Sequence, residues 1–166
     1  MSVVVDSLTF RRAHRADLPR LLALLADDVL GRNREAVAST DPAYAAAFDA
    51  IDGDPNQFLL VAEHAGELLG MLQLTFIPGL SRQGAWRANV EAVRVAAPLR
   101  GQGIGARLMA RAEQIAAERG CRMAQLTSDL QRADAHRFYL RHGYVASHAG
   151  FKKSLASQQR TRLSAA

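Results

Sequence analysis

Cys121 is the only cysteine in these 166 residues, which excludes an internal disulfide framework and any multi-cysteine metal site and suits a reducing compartment. Long apolar runs are missing as well. Nothing in the chain could span a bilayer, and the amino terminus lacks the basic-then-apolar profile of a secretory signal, so a soluble, cytoplasmic protein without membrane partners is expected. Five histidines are present, His14, His64, His136, His142 and His148, but no two form a His-x-x-x-His pair with a carboxylate, and no metal is expected. Aromatics are scarce at 6%, with one tryptophan, and they do not alternate with basic residues as a single-strand-binding platform requires. The net charge of +5 is spread over every element, so it reads as a solvated surface that excludes nucleic acid as a partner and favours an acidic ligand.

What is there is ample apolar material. At 49% hydrophobic content, a chain of this length can close one core without staples. No repeat and no linker divides it. Residues 1–155 read as one domain, and 156–166 as a polar, frayed tail.

Periodicity supplies the elements. Leu8 to Ala13 alternates as a first strand, and Leu18, Leu21, Leu22, Leu25 and Val29 recur at helical spacing between a cap at Asp17 and a stop at Gly31. Arg32 to Thr40 is polar and unpatterned. Asp41-Pro42 opens a short helix to Ile51 whose Tyr44, Phe48 and Ile51 share a side. Phe58–Glu63 and Leu68–Ile77 read as a hairpin around 64–67, and Ala85–Val95 as the next antiparallel strand. Ile104, Leu108, Ala112 and Ile115 line a helix ending at Arg119-Gly120. A buried strand over 123–127, a helix over 134–142 and a last strand over 144–155 follow. The fold class is α/β (α+β): a mixed, mostly antiparallel sheet flanked by helices, in the order β-α-α-β-β-β-α-β-α-β.

The chain is organised around Asn89 to Ala106. A valine-rich strand there runs through Pro98 into Gly101, Gly103 and Gly105, which open the longest helical pattern. Alternate glycines leave the backbone bare, so amide N–H groups and the positive end of a helix dipole can meet an anion. A P-loop would need Gly-Lys-Ser or Gly-Lys-Thr, and here the glycines run into Ala106-Arg107. A dinucleotide fingerprint is formally matched by Gly101 to Ala106, but residues 96–100 separate it from the strand and no acidic residue stands at the expected offset. It is the weaker reading, and with it a dinucleotide-binding oxidoreductase.

Arg100-Gly101-Gln102-Gly103-Ile104-Gly105 more closely resembles the Gln/Arg-x-x-Gly-x-Gly/Ala acetyl-CoA loop of the GNAT superfamily of N-acetyltransferases. Ala135-His136-Arg137-Phe138-Tyr139 with Gly143-Tyr144 resembles that family's second segment at the usual distance. The resemblance covers roughly residues 58 to 155 and implies a cytoplasmic bacterial acyltransferase, with acetyl-CoA as donor, a small-molecule or peptide amine as acceptor, and a homodimer as one arrangement. It implies that Val93, Arg94 and Val95 meet the pantetheine arm. Arg100, Gly101, Gln102, Gly103, Ile104, Gly105 and Ala106 would hold the pyrophosphate.

Direct transfer needs a neutral amine, a stabilised oxyanion and a proton for the thiolate. Glu91 interrupts an apolar strand, and an inward carboxylate there would be a good base; the alternatives are an outward charge or an ion pair with Arg87 or Arg94, since a β-bulge would break strand parity. The resemblance gives Tyr139 the role of acid, with Phe138 turned into the core. One departure stands out. The family has an asparagine seven residues before the tyrosine, where this chain has Arg132, with Ser128 or Asp129 as substitutes or Arg132 on a phosphate. Cys121 follows a helix C-terminus, where a thiolate is disfavoured, so no acetyl-cysteine route is expected. Trp86 and His148 are candidates for the acceptor pocket. A non-catalytic acyl-CoA-binding module is the remaining alternative.

Overall fold

Two β-rich runs on either side of the 64–67 turn make a hairpin the expected local structure, and the computed structural model, which describes residues 7–27 and 41–155, contains it. β2 (Gln57–His64) and β3 (Glu67–Ile77) are joined by Ala65 and Gly66, both at positive φ (50° and 83°), the turn whose twist matches the strands it connects. β1 (Thr9–Arg12) pairs with β2, and β4 (Trp86–Val95) with β3, all antiparallel. β5 (Cys121–Leu126) joins β4 in parallel, giving a five-stranded mixed sheet in the order β1-β2-β3-β4-β5. The expected fold class is the one observed.

Two helical layers cover the sheet. α3 (Ile104–Glu118) turns Ile104, Leu108, Met109, Ala112, Ile115 and Ala116 inward. It lies on the face of Leu60, Leu72, Leu74 and Phe76, each fully buried side chain contributing roughly 1.5–3 kcal/mol. The opposite face carries Leu59, Val61 and Met71 under Leu21 and Leu24 of α1 (Leu18–Ala26) and Phe48 of α2 (Pro42–Gly53). Phe48 is therefore core, the plainer of its two roles. α2 begins as its sequence says, with the Asp41 carboxylate accepting from the Ala43 amide at 2.9 Å and Pro42 in the first turn. α1 differs: Asp17 sits at the cap position, but its carboxylate turns back to accept from the His14 amide at 2.8 Å and from Arg11 at 2.7 and 3.0 Å. Burial alone would raise the Asp17 carboxyl, yet the Arg11 and His14 hydrogen bonds outweigh it and hold the group below its ordinary range.

Contacts divide the chain into two units, one running to Leu126 and one from Thr127. The second holds α4 (Ala133–Arg141), closed by Gly143 at φ 84°. The last strand expected over 144–155 is not formed. Its apolar residues Val145, Phe151 and Leu155 are exposed, and the small and polar run Ala146 to Gly150 between them offers no continuous face to bury. Val29, the Gly31 stop, the 32–40 connection and the 156–166 tail lie outside the described residues.

Candidate functional site

β4 carries the site because its pairing with β3 breaks register just where β5 ends beside it. Gln73 of β3 pairs with Glu91 and Met71 pairs with Arg94, so the single residue Leu72 stands opposite both Ala92 and Val93. Ala92 occupies the left-handed region at φ 52°, a conformation that costs a residue with a Cβ roughly 1–2 kcal/mol. This is the β-bulge that would break strand parity. With the bulge in place, Glu91 is exposed, so the apolar surroundings expected for its carboxylate are not present among the described residues.

The bulge also sets what the end of β4 offers. β5 ends opposite Val90, at Leu126, leaving the β5 side of residues 91–95 without a strand partner among the described residues. The Ala96 amide donates to Leu69 O at 2.9 Å on the β3 side, so by alternation the N–H and C=O groups of Val95 and Val93 point to the open side. Arg94 Nη1 donates to Val93 O at 2.9 Å, and Arg100 Nε to Val95 O at 3.0 Å. Two arginines thus occupy the outward carbonyls. What the open edge presents is donors.

Arg100 has a second task. Its guanidinium also donates to Asp27 O and lies 3.4 Å from the Asp27 carboxylate, which accepts from the Ala97 amide at 2.7 Å. The arginine expected on a phosphate is turned to the protein's own oxygens and ties the loop to the end of α1. Gln102 does likewise, its Nε2 donating to Pro98 O at 3.2 Å.

Between Arg100 and α3 the chain turns through Gly101 at φ 78° and Gly103 at φ 91°, values that an L side chain rarely adopts. Gly103 is the N-cap of α3, and the Arg107 amide is the one that returns to its carbonyl, at 3.1 Å. The amides of Ile104, Gly105 and Ala106 are first-turn groups with no intrahelical acceptor, at the positive end of a 15-residue helix. Bare N–H donors therefore stand in two groups, at the open edge of β4 and at the mouth of α3, separated by the Ala96, Ala97, Leu99 and Arg100 amides, which are bonded within the protein.

The face that α1 and α2 cover over Leu59, Val61 and Met71 turns polar beside this edge. Gln57, Gln73, Thr75, Asn89, Glu91 and Gln125 share it by register across four strands. Gln57 Oε1 accepts from Gln73 Nε2 and from Thr75 Oγ1, both at 3.0 Å, and Gln125 Nε2 reaches Asn89 Oδ1 at 3.4 Å. Of these six the sequence singles out only Glu91; the signal for the others is a polar residue on the same face in four consecutive strands.

The second unit, taken by itself, holds Tyr139 on α4, half-buried, its ring 5.3 Å from Phe138 and 5.9 Å from Tyr144. Phe138 is not deep core, as expected from sequence; it is half-buried and lies 4.3 Å from the His142 ring. Arg132 is the residue before α4, its carbonyl accepting from the His136 amide at 3.0 Å. His136 Nε2 lies 2.9 Å from Asp129 O, and His148 Nδ1 2.7 Å from Ser147 Oγ.

Burial pushes the half-buried Cys121 thiol up, against a smaller downward effect of Arg119, so it is no nucleophile at neutral pH. Among the described residues no group of three metal-ligating side chains exists, and no helix is long and apolar enough to cross a membrane.

The model of the acetyltransferase (GNAT) family matches residues 21–144. Over 102 residues the chain is 40% identical to an aminoalkylphosphonate N-acetyltransferase of Salmonella typhimurium, a match covering 61% of this chain and 66% of that protein, just under two thirds of its length. A crystal structure from Bacillus halodurans C-125, described as a transcriptional regulator, is 48% identical with a TM-score of 0.86, covering 89% of this chain and 99% of that one. AAC(6')-Iy in complex with a CoA-S-monomethyl-acetylneamine bisubstrate analog shares the fold alone, at 14% identity and a TM-score of 0.72, over 89% of this chain and 97% of that one.

Proposed function

Because the chain belongs to the acetyltransferase (GNAT) family, we propose that it moves an acetyl group from acetyl-CoA to a primary amine by direct attack, with both substrates bound together. The observation that carries the reading is the donor edge: the outward Val93 and Val95 amides, left open where β5 ends opposite Val90, together with the amides at the start of α3. A thioester arm laid along that edge would find N–H groups for its amides and for the developing oxyanion, and its phosphates would reach the loop from Gly101 to Ala106.

In this account the amine nitrogen attacks the thioester carbon, the C–S bond breaks, and the departing sulfur takes a proton from the Tyr139 hydroxyl. Glu91 receives the proton that the amine gives up. Its exposure favours transfer through an intervening water over direct contact. The half-polar sheet face of Gln57, Gln73, Thr75, Asn89 and Gln125 beside Glu91 is suited to an acceptor rich in hydrogen-bonding groups. Arg94 and Arg100 act as positioning residues, and Arg132 is left to a phosphate of the donor.

A panel of primary amines mixed with acetyl-CoA and followed by release of free thiol tests the reading. Aminoalkylphosphonates belong in it because the Salmonella relative bears that name. Thiol release that depends on one amine class supports the enzyme. Tight acetyl-CoA binding with no turnover on any amine would favour a sensing module, the alternative that the Bacillus relative's description brings forward.

A further inference from the structure

A cavity of about 250 Å³ opens at the other end of β4, lined by Ser81, Arg82, Ala85, Trp86, Arg87, Arg122 and Met123. Three guanidinium groups border it, and among the described residues none of them makes an ion pair with a carboxylate; the one hydrogen bond of Arg82 is to Met123 Sδ, at 3.8 Å. Like charges gathered without a counter-ion repel one another, and nothing about the hairpin-like link from β3 to β4 requires them there.

The backbone adds an independent observation. Arg82 (φ 55°, ψ 40°) and Gln83 (φ 60°, ψ 45°) are consecutive non-glycine residues in the left-handed region, followed by Gly84 at φ 71°. Each such residue costs about 1 kcal/mol or more, and strain of this kind gathers where a segment holds a ligand. Here the strained turn is the one that brings Ser81 and Arg82 to the cavity beside Arg87 and Arg122.

We propose that this cavity binds the phosphoryl or phosphonyl group of a small molecule, at a site separate from acetyl transfer. A planar carboxylate is satisfied by one guanidinium fork, whereas a tetrahedral dianion has the charge and the oxygens for several, with the Ser81 hydroxyl as a further donor. The cavity has about eight times the volume a water occupies in the liquid, so it takes the anion together with part of the body that carries it. Trp86, 38% exposed, supplies an aromatic wall for that body. Separation follows from the strand: Arg87 and Glu91 are four residues apart in β4, about 13 Å of extended chain, and Trp86 and Val95 nine apart, about 30 Å. A small amine acceptor at Glu91 does not span that distance.

Trp86 is the single tryptophan of the chain, so intrinsic fluorescence reads this cavity directly. The full-length protein is titrated with inorganic phosphate and with phenyl phosphate, each against sodium chloride at matched ionic strength and with and without saturating acetyl-CoA. The expected result is a saturable change, tighter for phenyl phosphate, unaffected by acetyl-CoA and weakened about tenfold or more in Arg82→Ala/Arg122→Ala, whose two positions are exposed. Sodium chloride reproducing the change, acetyl-CoA abolishing it, or the double variant binding as the parent does would each overturn the proposal. The outcome is independent of the amine panel, so failure of one leaves the other readable.

Discussion

Gln73 stands opposite Glu91 across β3 and β4, and the next register pair is Met71 with Arg94, so Leu72 faces two residues of β4 at once. That one-residue mismatch puts Glu91 at the last regular position before the bulge. The carboxylate therefore ends the polar face just where the donor edge begins.

If Glu91 takes the amine proton, Glu91→Gln lowers kcat by about 10² or more while the KM for acetyl-CoA is unchanged, because the exposed side chain keeps its shape and no neighbour is lost. Tyr139→Phe keeps the ring contacts to Phe138 and Tyr144 and lowers kcat in the same assay. Steady-state rates with a responsive amine check both; parental rates would remove the two residues from the chemistry.

The bulge itself is open to test through Ala92. Ala92→Gly removes the cost of φ 52° and leaves thermal stability equal or higher, whereas Ala92→Val lowers it by about 1–2 kcal/mol. Thermal unfolding of the two variants checks the sign; equal losses would mean that the side chain rather than the backbone decides.

Arg100 ties Val95 O to Asp27. Arg100→Ala should raise the acetyl-CoA Kd about five- to tenfold, the worth of one ordinary hydrogen bond of about 1 kcal/mol, by freeing the loop and the Val95 carbonyl. Asp27→Asn should reproduce part of that effect although it adds no distance to any phosphate. Calorimetry with acetyl-CoA distinguishes this from direct contact, for which Asp27→Asn would leave affinity unchanged.

Asp17 gives the fold an acid-sensitive element. Its folded carboxyl lies below the ordinary value of about 3.9, so the unfolded chain binds the proton more readily. The stabilisation is complete above that value and is lost as pH falls through the folded one. Asp17→Asn removes it, costing roughly 1–2 kcal/mol at neutral pH after allowance for the 33% exposure of the Arg11 side chain, and flattening the acid limb of a stability-against-pH curve. Denaturant unfolding across that range checks both effects.

The legible parts of the chain were those with local chemistry behind them. Asp41-Pro42 capped a helix, Gly103 opened another, and two β-rich runs about a 64–67 turn made a hairpin, each for reasons contained in a few residues. Ala92 was not legible, since alanine carries no signal for a left-handed conformation and the bulge arises from the register between two strands rather than from residues next to it. Glu91 lies in regular register before the bulge, and its exposure is the outward-charge alternative that its strand position leaves open. The hydrogen bonds of Arg94 and Arg100 to the Val93 and Val95 carbonyls are not legible in the sequence, because those carbonyls are open only where β4 extends past β5. The strand expected over 144–155 rested on scattered apolar residues, and Val145, Phe151 and Leu155 stay exposed.

The central claim is that the edge of β4 and the mouth of α3 together supply the backbone donors for the thioester carrier. The direct measurement is the change in backbone amide resonances on titration with acetyl-CoA. The account predicts that Val93, Val95 and Gly103 through Ala106 shift together with one affinity, while the amides of β1 and of the Ser81–Gly84 turn do not move. Binding that shifts other regions and leaves those six amides in place would contradict it.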